Sequence, residues 1–500
     1  MSGTGPIDDG PATRAKRLQE GVETFAHDFV VALLDRALHA EGSPTHRNNL
    51  DATARALRHA LGSGIDLPLR IDFRGDCLCW KDSELAAATL QAGRLLRLAK
   101  ERRLRSIAFD ARVNLPSLDG ILRLLGDPHA IDAFRPDTIE AALRRHGIRG
   151  IAIEIGDAPK DADVPGSPSM LTSHAGALRR YQALTDVLQE SHVRAFHGDE
   201  IGIDAARGVV ERAVASMNTA PSELLALSVY DDIDRFTVGH SVRVALLALQ
   251  VARAAGADER ELMRVGTCGL LHDIGKSLIP QEVLFKQSGL TTEEWAVMAE
   301  HPRLGAEILL EQRDVDPAAI GAAYCHHMGP DGLGYPRPQM PFATSAISKL
   351  VRICDVFEAL TAVRPYKHEL TPLEALAVMH REAKGFDPQW FTFFVQTIGI
   401  YPTGTRVLLV DGTRALVVRQ GVAVDRPMVR PIADGSPDDL PAADSPEFAI
   451  GDRIDGVEHR IAGVLRRHHD AEHDHDPTAT VLGHPATACL HPHDAKTHRT

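Results

Sequence analysis

Histidine and aspartate side chains recur at regular intervals through the middle of the 500-residue sequence, in segments whose other residues are largely apolar. Imidazole and carboxylate ligands without thiolates suit iron, manganese or zinc better than a soft metal or an iron–sulfur cluster. Successive segments lie 25 to 32 residues apart, about one helix and its connection, so a helical bundle could direct all of them into one core. The candidate metal ligands are His240, His272, Asp273, His301, His326, His327 and Asp355.

Seven candidate ligands are more than one tetrahedral ion can use. Two ions a few ångström apart, bridged by one carboxylate, would use all of them. Asp273 is the natural bridge, because its neighbour His272 lets two adjacent residues serve both ions from one helix end. A hydroxide between the ions would be the nucleophile, and the second ion would stabilise charge on a phosphoryl oxygen. This pattern predicts hydrolysis of a phosphoester.

Each ligand also has a less specific interpretation. A single histidine such as His240 or His301 is more often a surface residue or a hydrogen-bonded core residue than a ligand. The pair in the apolar sequence LLHDIG resists that interpretation, because burying an unpaired aspartate costs several kcal/mol. Taken together, the residues favour a metal centre. Three cysteines near the ligands are interpreted as small buried residues, namely Cys268, Cys325 and Cys354.

Several structural regions must surround this centre in what we predict to be a multidomain chain. Residues 1–156 are predicted to form an α/β domain, because helical periodicity at residues 13–41 and 48–62 precedes short strands with alternating apolar residues. The role of this domain is unassigned, with sensing and dimerisation as the two candidates. Proline, glycine, aspartate and serine accumulate at residues 157–170, which predicts a linker.

Residues 171–400 are predicted to form an all-α bundle that carries every candidate ligand. Residues 401–435 are predicted to form a small β-hairpin extension, in which Asp411-Gly412 provides a two-residue type I′ turn. Residues 436–500 are predicted to be a mostly disordered tail, of which the part at 468–500 holds 8 of the 25 histidines.

Composition excludes several classes of protein. With 44% hydrophobic and 25% charged residues the chain is globular, and no apolar stretch approaches the roughly 18 residues that a membrane helix needs. The first residues lack the basic and apolar regions of a signal peptide, which predicts a cytoplasmic protein. A formal charge of −13 and an aromatic content of 5% disfavour binding to a nucleic acid polymer.

The motifs around the ligands resemble those of the HD-GYP family, a branch of the HD phosphohydrolase superfamily, over about residues 200–400. The motifs are HDIGK at 272–276, HP at 301–302, HHxxxDGxGYP at 326–336, DVFEAL around Asp355, and RPYK at 364–367. The resemblance implies a phosphodiesterase that hydrolyses the bacterial second messenger cyclic di-GMP to pGpG, to GMP or to both. It also implies a di- or trinuclear metal centre that is often occupied by iron or manganese.

The resemblance implies a role for each motif residue. One ion would be bound by His240, His272, Asp273 and Asp355, and the other by Asp273, His301, His326 and His327. Lys276 would lie near the scissile phosphate as a catalytic residue beside Asp273, and Arg364 and Lys367 would bind the substrate's phosphates. Tyr335 would border the site, either as a packing residue or as a substrate contact. Further candidate partners are diguanylate cyclase (GGDEF) proteins and a second copy of the chain.

Two departures from the family pattern bear on this interpretation. Met328 and Gly329 follow the paired histidines where the family commonly has glutamate and then a basic residue. Phe236 stands four residues before His240, where trinuclear members have a glutamate ligand, so we predict two divalent ions. Two alternatives to the cyclic di-GMP phosphodiesterase remain open. One is a weakly active receptor or interaction module, and the other is a phosphodiesterase for another cyclic dinucleotide.

Overall fold

The structure is a computed structural model. It describes residues 11–38, 44–63, 68–156 except 76, 82, 86–87 and 90–91, 171–217, 237–337 except 285 and 287, 343–362, 370–432, and 445–465 except 455–456. These residues fall into two compact units, Met1–Ser167 and Pro168–Thr500. The predicted linker at 157–170 lies outside the described residues.

The first unit is a five-stranded antiparallel sheet packed against helices, in agreement with the predicted α/β domain. Its helices are α1 Pro11–Leu38, α2 Pro44–Gly62, α3 Gly93–Glu101, α4 Leu115–Gly126 and α5 Ile139–Arg145. Its strands are β1 Leu69–Arg74, β2 Cys77–Trp80, β3 Ser83–Glu84, β4 Leu104–Phe109 and β5 Ile151–Ile155, in the order β3-β2-β1-β4-β5.

Alternation of apolar residues explains how this sheet meets its helices. Leu69, Ile71 and Phe73 of β1 are all buried, because successive side chains of a strand point to opposite faces. The ring of Phe109 in β4 packs edge-on against those of Phe25 and Phe29 in α1, at centroid distances of 4.9 and 5.5 Å. The core of this unit is therefore one layer between the sheet and its helices.

The second unit is mostly helical. Its helices are α6 Leu171–His197, α7 Ile203–Met217, α8 Thr237–Ala254, α9 Glu259–Leu271, α10 Gln281–Leu284, α11 Thr292–Met298, α12 His301–Leu310, α13 Pro317–Cys325, α14 Ala346–Thr361, α15 Pro372–Arg381 and α16 Pro388–Ile398. Short 3₁₀ turns lie at Ile274–Leu278 and Ala383–Gly385. Among the described residues, none of the helices is long and apolar enough to cross a membrane.

Capping residues fix where the helices of this unit begin. Asp258 and Glu261 form a reciprocal capping box at the start of α9, and Thr291 and Glu294 form another at the start of α11. Helix α9 ends at Leu271, so its C-terminal end presents the next two residues, His272 and Asp273, to the interior.

The turn Ile274–Leu278, which follows Asp273, packs closely against α12. A Cβ atom on Gly275 would lie 2.0 Å from the carbonyl oxygen of His301 and 2.4 Å from the amide nitrogen of Gly305. Only glycine permits such a close approach of two backbone segments. The glycine of the HDIGK motif therefore brings Asp273 and His301 together.

The C-terminal extension is larger than the predicted β-hairpin at 401–435. Strands β6 Arg406–Leu409, β7 Arg414–Ala423, β8 Arg426–Pro431, β9 Phe448–Ala449 and β12 Ile461–Val464 form a sheet in the order β12-β6-β7-β8-β9. A separate pair comprises β10 Arg453–Ile454 and β11 Val457–Glu458. Residues 448–464 were predicted to belong to the tail, because strands of two to four residues carry too little alternation to be detected. The rest of the predicted tail, 436–444 and 466–500, lies outside the described residues.

The predicted two-residue type I′ turn at Asp411-Gly412 is wrong. The connection between β6 and β7 spans residues 410–413, and of these only Gly412 has a positive φ, of 87°. A type I′ turn needs positive φ at both central residues. The Asp411 side chain instead accepts a hydrogen bond from the Thr413 amide at 2.9 Å, which stabilises a wider turn.

Candidate metal centre

The helical unit brings all seven predicted ligands into one buried cluster. His240 lies in α8, His272 and Asp273 follow α9, and His301 is the first residue of α12. Asp355 lies in the middle of α14, while His326 and His327 directly follow α13. None of the seven is more than 6% exposed, so these polar groups satisfy one another or a bound cation.

Asp273 stands at the centre of the cluster with its two oxygens facing different histidines. Its Oδ2 lies 3.5 Å from Nε2 of His240 and 3.4 Å from Nε2 of His272. Its Oδ1 lies 3.3 Å from Nε2 of His301 and 3.5 Å from Nε2 of His326. A carboxylate in this position can bridge two ions, one on each side.

Asp355 provides a second connection across the cluster. Its Oδ1 lies 3.0 Å from Nε2 of His240, and its Oδ2 lies 3.7 Å from Nδ1 of His327. Two groups of side chains could each hold an ion, with one donor atom from every residue. One group is His240, His272 and Asp273, and the other is Asp273, His301, His326 and His327. Asp273 belongs to both groups, and Asp355 adjoins both.

Main-chain carbonyls orient three of the histidines. Nδ1 of His272 donates to Gly269 O at 2.7 Å, that of His301 to Met298 O at 2.7 Å, and that of His326 to Ala323 O at 2.8 Å. A donor bond from Nδ1 leaves Nε2 of a neutral imidazole with its lone pair, which is the form that binds a metal.

The donor atoms of the cluster fit a cation. Nε2 of His301 lies 3.2 Å from Nε2 of His326, and two lone pairs at that distance repel unless a proton or a metal lies between them. Nε2 of His272, Oδ1 of Asp273 and Oδ2 of Asp355 are buried without a hydrogen bond of good geometry in the described part of the chain. Such atoms are costly to bury unless a cation compensates them.

Electrostatics also favour a cation. Burial alone would raise the pKa of Asp273, but Lys276 and His272 outweigh it and hold the pKa well below its usual range. Burial alone would lower the pKa of His240, but Glu358 and Asp355 outweigh it and raise the pKa to about 9. Burial lowers the pKa of His272 to about 3. His272 is thus a neutral imidazole beside the ionised Asp273, as a divalent ion requires, whereas His240 carries a proton at neutral pH that a bound ion would displace.

Two residues that the sequence analysis missed, Glu358 and Arg243, hold the His240 ring on the side away from Asp273. Glu358, one turn after Asp355 in α14, accepts a hydrogen bond from Nδ1 of His240 through Oε2. Its Oε1 accepts from Nε of Arg243 at 2.6 Å. Both Glu358 and Arg243 are buried. Glu358 follows Asp355 by three residues, and Arg243 follows His240 by three residues. Residues at that spacing share one helix face, so the spacing was the available signal for both supporting residues.

Lys276 and Tyr335 lie at the cluster. Nζ of Lys276 donates to Oδ2 of Asp273 at 2.5 Å. Gly334, at φ 121°, lies so close to His327 O that a Cβ would be 2.2 Å away, and the next residue, Tyr335, stacks on the His327 ring at a centroid distance of 4.5 Å. Tyr335 is therefore at least a packing residue of the site. Arg364, Lys367 and Phe236 lie outside the described residues.

The cysteines near the cluster are buried, as predicted. Cys268, Cys325 and Cys354 are at most 4% exposed. Burial raises the pKa of the Cys325 thiol to about 11 and also raises the pKa of the Cys268 and Cys354 thiols. These groups stay protonated at neutral pH, so they pack as small apolar residues.

Replacing Gly275 with alanine is expected to destabilise the protein by about 1–3 kcal/mol or more, because the new Cβ would overlap backbone atoms of α12. Metal affinity should fall with it, since Asp273 and His301 would be pushed apart. Gly321→Ala in α13 is the matched control, because nothing lies within 4 Å of its Cβ position. Chemical denaturation and elemental analysis of both variants check this, and equal stabilities would contradict the close-packing argument.

Comparison with known proteins identifies the class of the helical unit. Residues 225–390 match the HD domain family. This part of the chain is therefore an HD domain, which confirms the resemblance drawn from its motifs.

Particular relatives narrow the comparison. The chain is 35% identical over 223 residues to a cyclic di-GMP phosphodiesterase of Pseudomonas aeruginosa, covering 45% of this chain and 54% of the relative. It is 37% identical over 150 residues to a cyclic di-GMP phosphodiesterase response regulator of Xanthomonas campestris, covering 29% and 39%. It is 30% identical over 168 residues to a 3′3′-cGAMP-specific phosphodiesterase of Vibrio cholerae, covering 33% and 36%. The chain thus spans about half or less of the length of these relatives.

Proposed function

We propose that the protein is a metal-dependent phosphodiesterase that hydrolyses cyclic di-GMP. The observation that carries the proposal is the position of Asp273, whose two oxygens face two separate sets of histidines. The names of the Pseudomonas and Xanthomonas relatives support the choice of substrate. Iron or manganese is the proposed metal, because the donors are imidazole and carboxylate and every nearby described thiol stays protonated.

The proposed ligands divide into two sets that share Asp273. His240, His272 and Asp355 would complete one set, and His301, His326 and His327 the other. When bound, two divalent ions supply Lewis-acid activation of water and of the phosphoryl oxygen. Carbonyl bonds to Nδ1 hold His272, His301 and His326 in the required tautomer, while Glu358 holds His240.

Lys276 is the proposed link between this centre and the substrate. Its ammonium donates to Asp273, and its side chain is 18% exposed, so it borders both the cluster and solvent. A cation in that position can neutralise charge that develops on a phosphoryl oxygen. Arg364 and Lys367 are proposed to bind the second phosphate, on the strength of the RPYK motif alone.

The test is a turnover assay on purified protein loaded with iron or manganese under reducing conditions. We expect cyclic di-GMP to be consumed and linear pGpG or GMP to form, as resolved by chromatography. Chelation followed by metal replacement should abolish and then restore the activity. A metal-replete protein that binds the dinucleotide without consuming it would instead be a receptor, and the proposal would be wrong.

A second candidate is a phosphodiesterase for a hybrid cyclic dinucleotide. The relative from Vibrio cholerae is named for 3′3′-cGAMP and matches this chain at 30% identity. Met328 is buried beside the paired histidines. Its thioether carries no charge, whereas the family commonly has a glutamate at this position. Measuring kcat/KM for cyclic di-GMP and 3′3′-cGAMP on the same preparation decides between the two substrates.

A further inference from the structure

A histidine outside the matched HD segment lies beside the catalytic turn. His192 belongs to α6, which ends at residue 197, well before residue 225 where the family match begins. Helix α6 packs against the turn Ile274–Leu278, which carries Lys276. His192 is 5% exposed, so its ring is buried within the same unit as the metal centre.

The His192 ring has the same tautomer as three of the proposed metal ligands. Its Nδ1 donates to the carbonyl oxygen of Leu188 at 2.9 Å, one turn earlier in α6. Burial lowers the pKa of His192, which keeps the ring neutral. Nε2 therefore holds a lone pair, and this nitrogen is buried with no hydrogen-bond partner among the residues that the structure describes. A buried acceptor of this kind is unfavourable unless some state of the protein supplies a donor.

Two charged groups act electrostatically on the ring, and only one of them can donate. These groups are the carboxylate of Asp273 and the ammonium of Lys276. The ionised carboxylate of Asp273 has no proton to give, whereas an ammonium has three donors. The ammonium of Lys276 donates a hydrogen bond to Oδ2 of Asp273.

The same oxygen has other neighbours. Oδ2 of Asp273 also faces Nε2 of His240 and of His272, on the side of the cluster where one ion is proposed. An oxygen that serves an ion is a poorer acceptor for a nearby ammonium, because the ion repels the ammonium. An ammonium has three donors, so Lys276 can use a further acceptor beside the site.

We propose that His192 is a positioning residue that holds Lys276 through Nε2 while the ammonium contacts a substrate phosphate. The role rests on the proposed function, because it concerns the lysine assigned to that phosphate. It extends the site to α6, outside the matched segment.

Two substitutions separate the acceptor from the rest of the ring. His192→Asn retains a donor near the Nδ1 position for Leu188 but has no acceptor where Nε2 lies. His192→Gln places its carbonyl oxygen near the Nε2 position. Both substitutions remove the imidazole ring from the same buried position. A difference in activity between the two variants therefore measures the contribution of the acceptor at the Nε2 position. His197→Gln, at the exposed end of the same helix, is the control.

In the metal-loaded full chain, we expect kcat/KM of His192→Asn to fall about 10- to 100-fold, as for a misplaced catalytic group. His192→Gln should recover most of this loss, and all variants should retain the metal content of the wild type. Loss of metal in the asparagine variant would make His192 a ligand and overturn the proposal. Equal activities of the wild type and both variants would make it a core histidine and also overturn it.

A second readout does not depend on turnover. Reductive methylation followed by mass spectrometry measures how readily Lys276 reacts, with Lys81 as the internal reference. We expect several-fold faster labelling of Lys276 in His192→Asn than in His192→Gln or the wild type. If the wild type hydrolyses no cyclic dinucleotide, the proposed function fails, and the labelling still decides the role of His192. If both variants unfold, His192→Phe, which retains a ring, is compared with the wild type instead.

Discussion

If the proposed function holds, replacing Asp273 with alanine is expected to remove both proposed metal ions and to lower turnover of cyclic di-GMP by at least about a thousandfold, equivalent to about 4 kcal/mol of transition-state stabilisation. The reason is geometric, because one carboxylate faces His240 and His272 through Oδ2 and His301 and His326 through Oδ1. No other residue in the described part of the chain belongs to both ligand groups.

The measurements are elemental analysis and thermal unfolding with and without a chelator. A bound ion stabilises the wild type by about 2.7 kcal/mol at a concentration 100 times Kd, so chelation should lower its Tm and leave that of the variant unchanged. Asp204→Ala is the control, because that side chain is 94% exposed. An Asp273→Ala protein that retains two ions would show that Asp273 is not the bridge.

Replacing Glu358 with glutamine is expected to weaken metal binding by about 10- to 100-fold, which is the usual effect of changing a partner behind a metal-bound histidine. The ion on the His240 side should be lost first, because Glu358 contacts Nδ1 of His240. Titration with a competing chelator should resolve one weakened site and one unchanged site. Uniform weakening of both sites would contradict this assignment.

Glu358→Ala should have a further effect on stability. It takes the carboxylate away from the buried guanidinium of Arg243, and breaking a buried ion pair typically costs about 3–5 kcal/mol. A matched control is Glu307→Ala, which removes a glutamate that pairs with Arg303 at the surface, where the carboxylate side chain is 54% exposed. Surface pairs contribute at most about 1 kcal/mol, so the control should unfold near the wild-type denaturant midpoint.

The ligand types and their spacing were sufficient to predict which side chains lie together in the buried cluster. His272 and Asp273 stand in an apolar segment, which is informative because buried charge must be compensated. Glu358 was missed because DVFEAL looks like an amphipathic helix, in which an acid usually faces solvent. Its spacing of three residues from Asp355 places Glu358 on the same helix face, but this spacing alone does not show that its carboxylate is buried. His192 carried no signal at all, since its proximity to Lys276 depends on how α6 packs against a turn about 80 residues later in the chain.

Elements with local periodicity, including the short strands of the first unit, were also predictable, and the shortest strands of the C-terminal extension were not. Alternation at Leu69, Ile71 and Phe73 correctly predicted β1 and its buried face. Strand β12 was missed because its pairing with β6 depends on a partner about 50 residues away, and its four residues contain only two large apolar side chains. A strand such as β1 can be predicted from the alternation of its own residues, whereas a strand such as β12 depends on pairing with a distant partner.

The packing of α6 against the turn Ile274–Leu278 has a practical consequence for where the protein can be cut. Family similarity begins at residue 225, yet the side chains of Tyr181, Leu184 and Leu188 in α6 are at most 1% exposed. Each such side chain contributes about 1.5–3 kcal/mol by its removal from water. A fragment that starts at the family boundary would leave the surface beneath this helix bare, and such patches promote association. We therefore expect the smallest autonomous piece of the helical unit to begin before Tyr181 and not at the edge of the matched family.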